Sequence, residues 1–221
     1  NKASRLEASS SGTVFDISAL ILYLINPVPE PMIYLEEKGG LIRNYGISIV
    51  IDVSYSCFNP LSASHSFQTI MSILSSLSTI DLPCFDLIIA TESAPIVICS
   101  GVKTLYALNE RSSVWNSLFA ILQSQTSNTN RVDLASGIHT AFDLRRMRSI
   151  QCTNILFVLT DGLYQMSERS RIINVVNNCV QSGINTFGIG IGIYPKRIVD
   201  LFPQVIFAEN PSDSLKGISF L

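Results

Sequence analysis

The sequence predicts an α/β fold, with a doubly wound, mostly parallel sheet, one antiparallel edge strand and helices on both faces. Residues 46–51 (GISIVI) and 155–159 (ILFVL) are rich in branched apolar side chains, which is typical of strands buried on both faces. Strand-like runs then alternate with helical stripes along the chain, as in parallel sheets built from strand–helix–strand units. Together these observations predict one domain over residues 40–221.

Residues 1–39 differ from the remainder of the chain and are interpreted as an N-terminal extension or connecting segment. A short helix is predicted over 18–25 and a strand over 32–35. Between them, residues 26–31 (NPVPEP) contain three prolines, which cannot continue a helix. The pattern in this segment indicates no function.

From residue 52 onwards, apolar spacing predicts the successive elements. Helices carry apolar residues three and four positions apart, whereas strands are short apolar runs. In order, the prediction is a helix over 67–77, strands at 85–90 and 96–99, helices over 114–122 and from 133, a strand at 155–159, a helix capped by Ser167 and ended by Gly183, a strand at 185–191, a short helix at 198–202, a strand at 204–208 and a final helix from Ser212. The connection over 91–95 is short enough for a hairpin, which predicts the antiparallel edge.

Polar side chains follow the two buried runs. Asp52, Ser54 and Ser56 come directly behind residues 46–51, and Asp161 follows residues 155–159. Because parallel strands deliver their loops to one edge of a sheet, both carboxylates are expected at the same rim. Carboxylate and hydroxyl oxygens are hard ligands, which Mg²⁺ and Mn²⁺ prefer over imidazole or thiolate.

A buried strand followed by D-x-S-x-S, and a later strand followed by Thr160-Asp161-Gly162, resembles the von Willebrand factor A domain with its metal-ion-dependent adhesion site. The resemblance covers about residues 40–221 and implies a Rossmann-like fold. It further implies that Ser54 and Ser56 bind Mg²⁺ or Mn²⁺ through their hydroxyls. Asp52 and Asp161 would bind the ion directly or through water.

One position departs from the family pattern. The family supplies a further threonine ligand from a stretch resembling R-T-x-T-A-x-G-I, which here is residues 131–138 (RVDLASGI), with Val132 at the threonine position. Either Asp133 takes the ligand role, or the metal site is weakened or lost. Asp133 also stands where a helix N-cap belongs, and one carboxylate can do both through different oxygens. The candidate metal ligands are therefore Asp52, Ser54, Ser56, Asp161 and Asp133.

Such a site predicts a non-enzymatic protein-interaction module within a larger protein. Hydroxyls do little to neutralise a divalent cation, so a partner's aspartate or glutamate can complete its coordination. A metal-free scaffold domain within a large intracellular assembly is the alternative. An aspartate-based phosphatase or hydrolase is disfavoured, because Ser54 occupies the position where such phosphatases need a second aspartate.

Composition narrows the partners and the location. Only 14% of residues are charged, against about 25% in typical globular domains, which predicts contact with other domains of the parent protein. A net charge of −2 argues against nucleic acid, and no apolar run is long enough to cross a membrane. Five cysteines without C-x-x-C spacing favour reduced thiols in a cytoplasmic or nuclear protein.

Two further patterns are interpreted as structural. Arg145, Arg146 and Arg148 are predicted to form a solvated helix end favoured by the helix dipole. The glycines of residues 188–192 (GIGIG) are expected to permit close packing or a bend, because no helix follows them to complete a phosphate-binding loop.

Overall fold

The structure is a computed structural model of the 221-residue chain. It describes residues 6–9, 14–25, 32–37, 45–58, 63–80, 82–109, 113–125, 132–148, 152–191 and 195–207. The helix predicted from Ser212 lies outside the described residues.

The described residues form nine strands, seven α-helices and one 3-10 helix. The strands are β1 (Leu6–Ser9), β2 (Val14–Phe15), β3 (Tyr34–Glu37), β4 (Tyr45–Asp52), β5 (Cys84–Ala90), β6 (Ile96–Val102), β7 (Thr153–Thr160), β8 (Asn185–Gly190) and β9 (Gln204–Phe207). The helices are α1 (Ile17–Ile25), α2 (Tyr55–Phe58), α3 (Ala63–Ser78), α4 (Thr104–Ala107), α5 (Ser113–Gln125), α6 (Leu134–Arg146) and α7 (Met166–Gln181), and the 3-10 helix is Pro195–Asp200.

Six strands make the main sheet in the order β6-β5-β4-β7-β8-β9. All neighbouring pairs are parallel except β5 and β6, so the predicted parallel sheet with one antiparallel edge is confirmed. In the centre, Ile51 of β4 pairs with Leu159 of β7, and Asp52 pairs with Ala90 of β5. This register brings the carboxyl ends of the three central strands to one edge.

Apolar layers cover both faces of this sheet, as expected for a strand such as β4 that is buried along its whole length. Ile49 and Ile51 lie in a cluster with residues of α1, α3 and α5. Val50 points to the other face and lies in a second cluster with residues of α6 and α7. Burial of each such side chain contributes about 1.5–3 kcal/mol, so the two layers fix the sheet that carries the site.

The N-terminal segment packs against the α/β core. β1, β3 and β2 form a small antiparallel sheet in that order, and Leu20 and Leu24 of α1 lie in the same apolar cluster as Ile49. Helix α1 was predicted, but β1 and β2 were not, because runs of four and two residues carry no readable alternation. The predicted domain boundary near residue 40 stays a prediction.

Several predicted details differ from the structure. Helix α7 begins at Met166 after Gln165, which makes no side-chain cap, so the predicted capping by Ser167 is wrong. The helix predicted at 198–202 is the 3-10 helix beginning at Pro195, whose fixed φ suits a first helical position. Gly183 ends α7 as predicted, with φ of 79°. No helix in the described ranges is long and apolar enough to span a membrane.

The prediction of a solvated arginine cluster is wrong for Arg145, whose side chain is only 3% exposed. Its guanidinium lies 2.9 Å from Asp86, a buried carboxylate of β5 that also pairs with Arg148 at 2.7 Å. The expectation of close packing at Gly188 is confirmed, because a Cβ there would lie 2.4 Å from the Phe202 ring.

Candidate metal centre

Asp52 ends β4 in the middle of the sheet and is fully buried. Its Oδ1 accepts a hydrogen bond from the backbone N–H of Ser54 at 2.8 Å. Its Oδ2 accepts hydrogen bonds from the hydroxyls of Thr160, at 2.6 Å, and of Tyr164. A carboxylate with three donors around it is held in one orientation at the edge of the sheet.

The two serines lie where the chain turns from β4 into α2. Backbone N–H groups of Cys57 and Phe58 donate to the Ser54 carbonyl, which starts the short helix. This turn places the hydroxyl oxygens of Ser54 and Ser56 3.2 Å apart. Both serines are buried, at 3% and 8% exposure, so their hydroxyls belong to the interior of the site.

Asp161 follows β7 and is fully buried. Its Oδ1 accepts a hydrogen bond from the backbone N–H of Leu163 at 3.0 Å. Its Oδ2 has no hydrogen-bond partner among the described residues. Gly162 allows the turn beyond it with φ of 72°, and a Cβ there would lie 2.9 Å from the Arg197 backbone.

Burial and a neighbouring charge perturb the Asp161 carboxyl. Burial raises its pKa and the nearby Asp52 carboxylate raises it further, while hydrogen bonds from Leu163 and Ser56 offset part of the rise. The pKa of Asp161 is thereby raised to about 6. Burial and the Asp52 charge thus oppose ionisation of the Asp161 carboxyl, and one oxygen of the same group has no hydrogen-bond donor.

A buried thiol completes this cluster. Cys57 of α2 is fully buried, and one ligand atom from each of Asp52, Cys57 and Asp161 lies within 4.8 Å of the others. Burial, followed by the two carboxylates, raises the pKa of the Cys57 thiol well above its ordinary range. Sequence reasoning missed Cys57, although its place one residue after the second serine was the available signal.

Asp133 lies on the third loop of the site. It caps α6, and N-capping was one of the two roles predicted for it. Its Oδ1 accepts from the Ser136 backbone N–H at 2.9 Å, and its Oδ2 accepts from the Ser136 hydroxyl at 2.7 Å and from Arg171 at 3.1 Å. Burial alone would raise the pKa of Asp133, but the bonds from Ser136 and Arg171 outweigh it and lower that pKa. Its neighbour Val132 is buried in the apolar cluster over α6.

A cavity of about 780 Å³ opens beside these residues. Its charged lining residues are Glu92, Asp133, Glu168 and Arg171. Arg171 lies 2.8 Å from Glu168 and 3.1 Å from Asp133. The lining residues are Ser56, Glu92, Val132, Asp133, Leu163, Tyr164, Gln165, Ser167, Glu168 and Arg171. The lining thus includes two of the predicted ligands, Ser56 and Asp133.

The structure therefore brings four of the five predicted ligands together at the carboxyl edge of the sheet. Asp52, Ser54, Ser56 and Asp161 are all buried there and are connected by the hydrogen bonds and distances given above, and Asp133 lines the same cavity as Ser56. Two carboxylates and two hydroxyls, with an undonated oxygen on Asp161, fit a divalent cation, because a cation would satisfy that oxygen and balance both charges. Sequence reasoning missed Thr160 and Tyr164 as hydrogen-bond donors to Asp52.

Comparison with known proteins gives one family match. A family model described as von Willebrand factor type A domain matches residues 47–201. No curated protein sequence matches the chain.

Several solved structures share the fold at low sequence identity. The TFIIH p34 N-terminal domain is 10% identical with a TM-score of 0.54, and the match covers 76% of this chain and 92% of that one. An aerotolerance-related membrane protein from Bacteroides fragilis is 13% identical with a TM-score of 0.51, covering 79% and 96%. The conserved hypothetical protein BatB from Bacteroides thetaiotaomicron is 14% identical with a TM-score of 0.50, covering 80% and 96%. At these identities the likeness shows the fold alone.

Proposed function

The chain belongs to the von Willebrand factor type A domain family, a family of protein-interaction modules, and we propose that this module binds an acidic residue of a partner protein through Mg²⁺ or Mn²⁺. The metal would be held at the edge of the sheet where β4 and β7 end. The parent protein's other domains are proposed as further partners, in the cytoplasm or nucleus, and neither nucleic acid nor membrane enters the proposal.

The undonated Oδ2 of Asp161 is the observation that carries the proposal. A buried carboxylate oxygen without a donor costs folding free energy, and the neighbouring Asp52 charge adds to that cost. A divalent cation between the two carboxylates would remove both costs at once. The arrangement is therefore best accounted for as a cation site.

We assign roles from the hydrogen bonds of each side chain. Asp161, Ser54 and Ser56 present oxygens to the site, so they are proposed as the principal ligands. Asp52 is already bonded to Ser54, Thr160 and Tyr164, so it contributes charge and orientation as well as any remaining lone pair. When bound, the cation supplies a coordination position that an incoming carboxylate can fill.

Asp133 is proposed to act mainly from the rim. Both of its oxygens already accept hydrogen bonds, and its charge is partly neutralised by Arg171. Ligation by Asp133 therefore needs a second lone pair on one of these oxygens, or release of Arg171. The Asp133 charge would also repel a partner's carboxylate entering the cavity, and the positive charge of Arg171 would offset this repulsion.

The proposed module is non-enzymatic because the described site lacks an activated nucleophile. Ser54 lies against Ser56 and Cys57 and has no histidine partner in the described part of the chain. The Cys57 thiol is buried with a raised pKa, whereas reactive cysteines are exposed thiolates with lowered pKa values. Neither group is prepared for covalent catalysis.

Thermal unfolding in excess Mg²⁺ or Mn²⁺, against chelator, tests the metal. Ligand at a hundredfold excess over Kd stabilises the folded state by about 2.7 kcal/mol, so we expect a clear rise in Tm. Asp52→Ala and Asp161→Ala should abolish the rise, while the surface variant Asp143→Ala should keep it. Equal Tm with metal and chelator in the wild-type protein would contradict the proposal.

A second experiment tests the acidic partner. A glutamate-rich peptide should be retained on the immobilised protein in Mg²⁺ and released by chelator, whereas the matching glutamine peptide should not be retained. Retention that persists in chelator would assign binding to the cavity surface rather than to the metal.

A metal-free scaffold is the second candidate, and Val132 favours it. This residue stands at the family's threonine position, is only 6% exposed and contributes no oxygen. If the site is weakened there, Val132→Thr should create or strengthen the Mg²⁺-dependent rise in Tm, although the buried hydroxyl itself costs about 1–3 kcal/mol. If Mg²⁺ raises the Tm of Val132→Thr but not that of the wild type, the native domain acts as a metal-free scaffold.

A further inference from the structure

Cys57 is a buried side chain at the site that neither proposed function uses. It lies on α2, one residue after Ser56, and its Sγ accepts a hydrogen bond from the Ser54 hydroxyl at 3.4 Å. Its sulfur and the carboxylates of Asp52 and Asp161 offer three ligand atoms within 4.8 Å of one another. A thiolate so close to two carboxylates would be unfavourable unless a cation joined them.

An independent feature also indicates a cation at this point. The Oδ2 of Asp161 is fully buried and has no hydrogen-bond partner among the described residues, and it belongs to the residue that closes the same group. Among protein ligands, thiolates select Zn²⁺ and other soft or borderline ions, whereas Mg²⁺ and Ca²⁺ take oxygen. A group of two carboxylates and two hydroxyls that also contains a thiolate is therefore expected to favour Zn²⁺-like ions over Mg²⁺ and Ca²⁺.

We propose that Cys57 is a thiolate ligand of this centre and that the centre consequently prefers thiophilic divalent ions, Zn²⁺ foremost, to Mg²⁺. This inference rests on the proposed metal-binding function and specifies its metal. Zn²⁺ is commonly held by four ligands including cysteine and carboxylate, and Asp52, Cys57 and Asp161 leave one position for a serine hydroxyl or a partner's carboxylate. Binding requires the thiolate, so metal uptake releases the thiol proton to solvent.

Cys179 provides a matched control. It is also fully buried, on α7 in the opposite apolar cluster, and burial raises the pKa of its thiol to about 12. Cys57 and Cys179 are therefore both fully buried thiols, and they differ in their proximity to the carboxylates. Substituting each by serine separates ligation from a general effect of losing a buried sulfur.

Cadmium titration provides the direct test, because Cd²⁺ bound to thiolate absorbs in the near ultraviolet. We expect the wild type and Cys179→Ser to develop this band with one equivalent of Cd²⁺, and Cys57→Ser to lack it. In competition experiments on the wild type, Zn²⁺ should displace Mn²⁺ in the presence of excess Mg²⁺. Cys57→Ser should lose affinity for Zn²⁺ by about 10- to 100-fold or more, since even residues that only support a ligand cost that much.

The outcomes separate this inference from the proposed function. A wild type that is stabilised by Mg²⁺ or Mn²⁺ but shows no thiolate band and no preference for Zn²⁺ would overturn the role of Cys57 and leave the proposed function intact. A wild type that responds to none of these ions would overturn both. If Cys57→Ser unfolds, the competition experiment on the wild type still decides the preference.

Discussion

At Asp161, burial and the neighbouring Asp52 carboxylate both oppose ionisation, and together they raise the pKa of Asp161 to about 6. The ordinary value is 3.8, so between these two pH values the folded protein binds more protons than the unfolded chain. Stability of the metal-free protein therefore falls as pH rises through this window. The difference corresponds to about 3 kcal/mol once the pH exceeds 6.

Asp161→Asn should consequently be more stable than the metal-free wild type at pH 7, by up to about 3 kcal/mol, and should lose the fall in stability between pH 4 and 6. Urea unfolding at several pH values in chelator measures both effects. A wild-type stability that rises over this window would contradict the argument.

The residues of the site were predictable to different degrees. Asp52, Ser54, Ser56 and Asp161 could be placed together because they follow buried parallel strands, whose carboxyl ends share one edge. The only signal for Cys57 was its place one residue after Ser56. Tyr164 could not be placed, because its hydrogen bond to Asp52 depends on how the loop after β7 folds back over the strand ends. A hydrophobic pattern carries no information on such side-chain contacts.

At the scale of the elements, α6 shows how one carboxylate serves the fold and the site together. Asp133 caps the helix through Ser136, and its side chain bonds Arg171 of α7 at 3.1 Å. It therefore joins the starts of two helices at the rim of the cavity. Its contribution to the fold and any contribution to metal binding can be separated by substitution.

Asp133→Ala should destabilise the protein by about 1 kcal/mol, because the helix loses its cap, whereas Asp133→Asn should keep most of the capping. Tm in chelator measures this difference, and the Tm rise in Mg²⁺ measures metal binding. If Asp133 acts only as a cap, both variants should keep the full metal response. A response lost in both variants would instead identify the carboxylate as a ligand.

Most elements of the α/β core were predictable because apolar spacing sets both their type and their order. The sheet's central strands are continuous apolar runs, and α3, α5 and α6 carry clear stripes. The exceptions were elements too short for a period to develop, such as β2 and α4. Boundaries also shifted where backbone rather than side chains decides them, as at the start of α7.

At the scale of the whole molecule, two buried polar centres lie along the same central strands. Asp52 and Asp161 lie at the carboxyl edge, while Ser48, Asp86 and Arg145 join β4, β5 and α6 nearer the amino ends. Asp86 also pairs with Arg148 and accepts a hydrogen bond at 2.9 Å from the backbone N–H of Gly101, which extends this second centre to β6. In the first centre one oxygen of Asp161 has no hydrogen-bond donor, whereas in the second both oxygens of Asp86 accept hydrogen bonds.

The two centres have opposite effects on the pH dependence of stability. Burial would raise the pKa of Asp86, but the bonds from Arg148, Arg145 and Ser48 outweigh it and lower that pKa below its ordinary value of 3.8. Stability from Asp86 is therefore fully present above pH 3.8 and is lost as pH falls below it. The destabilising carboxyl pair of Asp52 and Asp161 is thus carried by a sheet whose antiparallel edge is held by a satisfied ion cluster.

Asp86→Asn should destabilise the protein by about 3–5 kcal/mol, because Arg145 would remain buried without its charge partner. Asp200→Asn is the matched control, since it breaks the exposed pair with Arg169 at 2.8 Å and should cost only about 0–1 kcal/mol. Urea unfolding at pH 7 measures both as shifts in midpoint. If Asp86→Asn shifted the midpoint no more than Asp200→Asn does, the buried cluster would contribute specificity of packing rather than stability, and the low-pH loss ascribed to Asp86 would have to arise elsewhere.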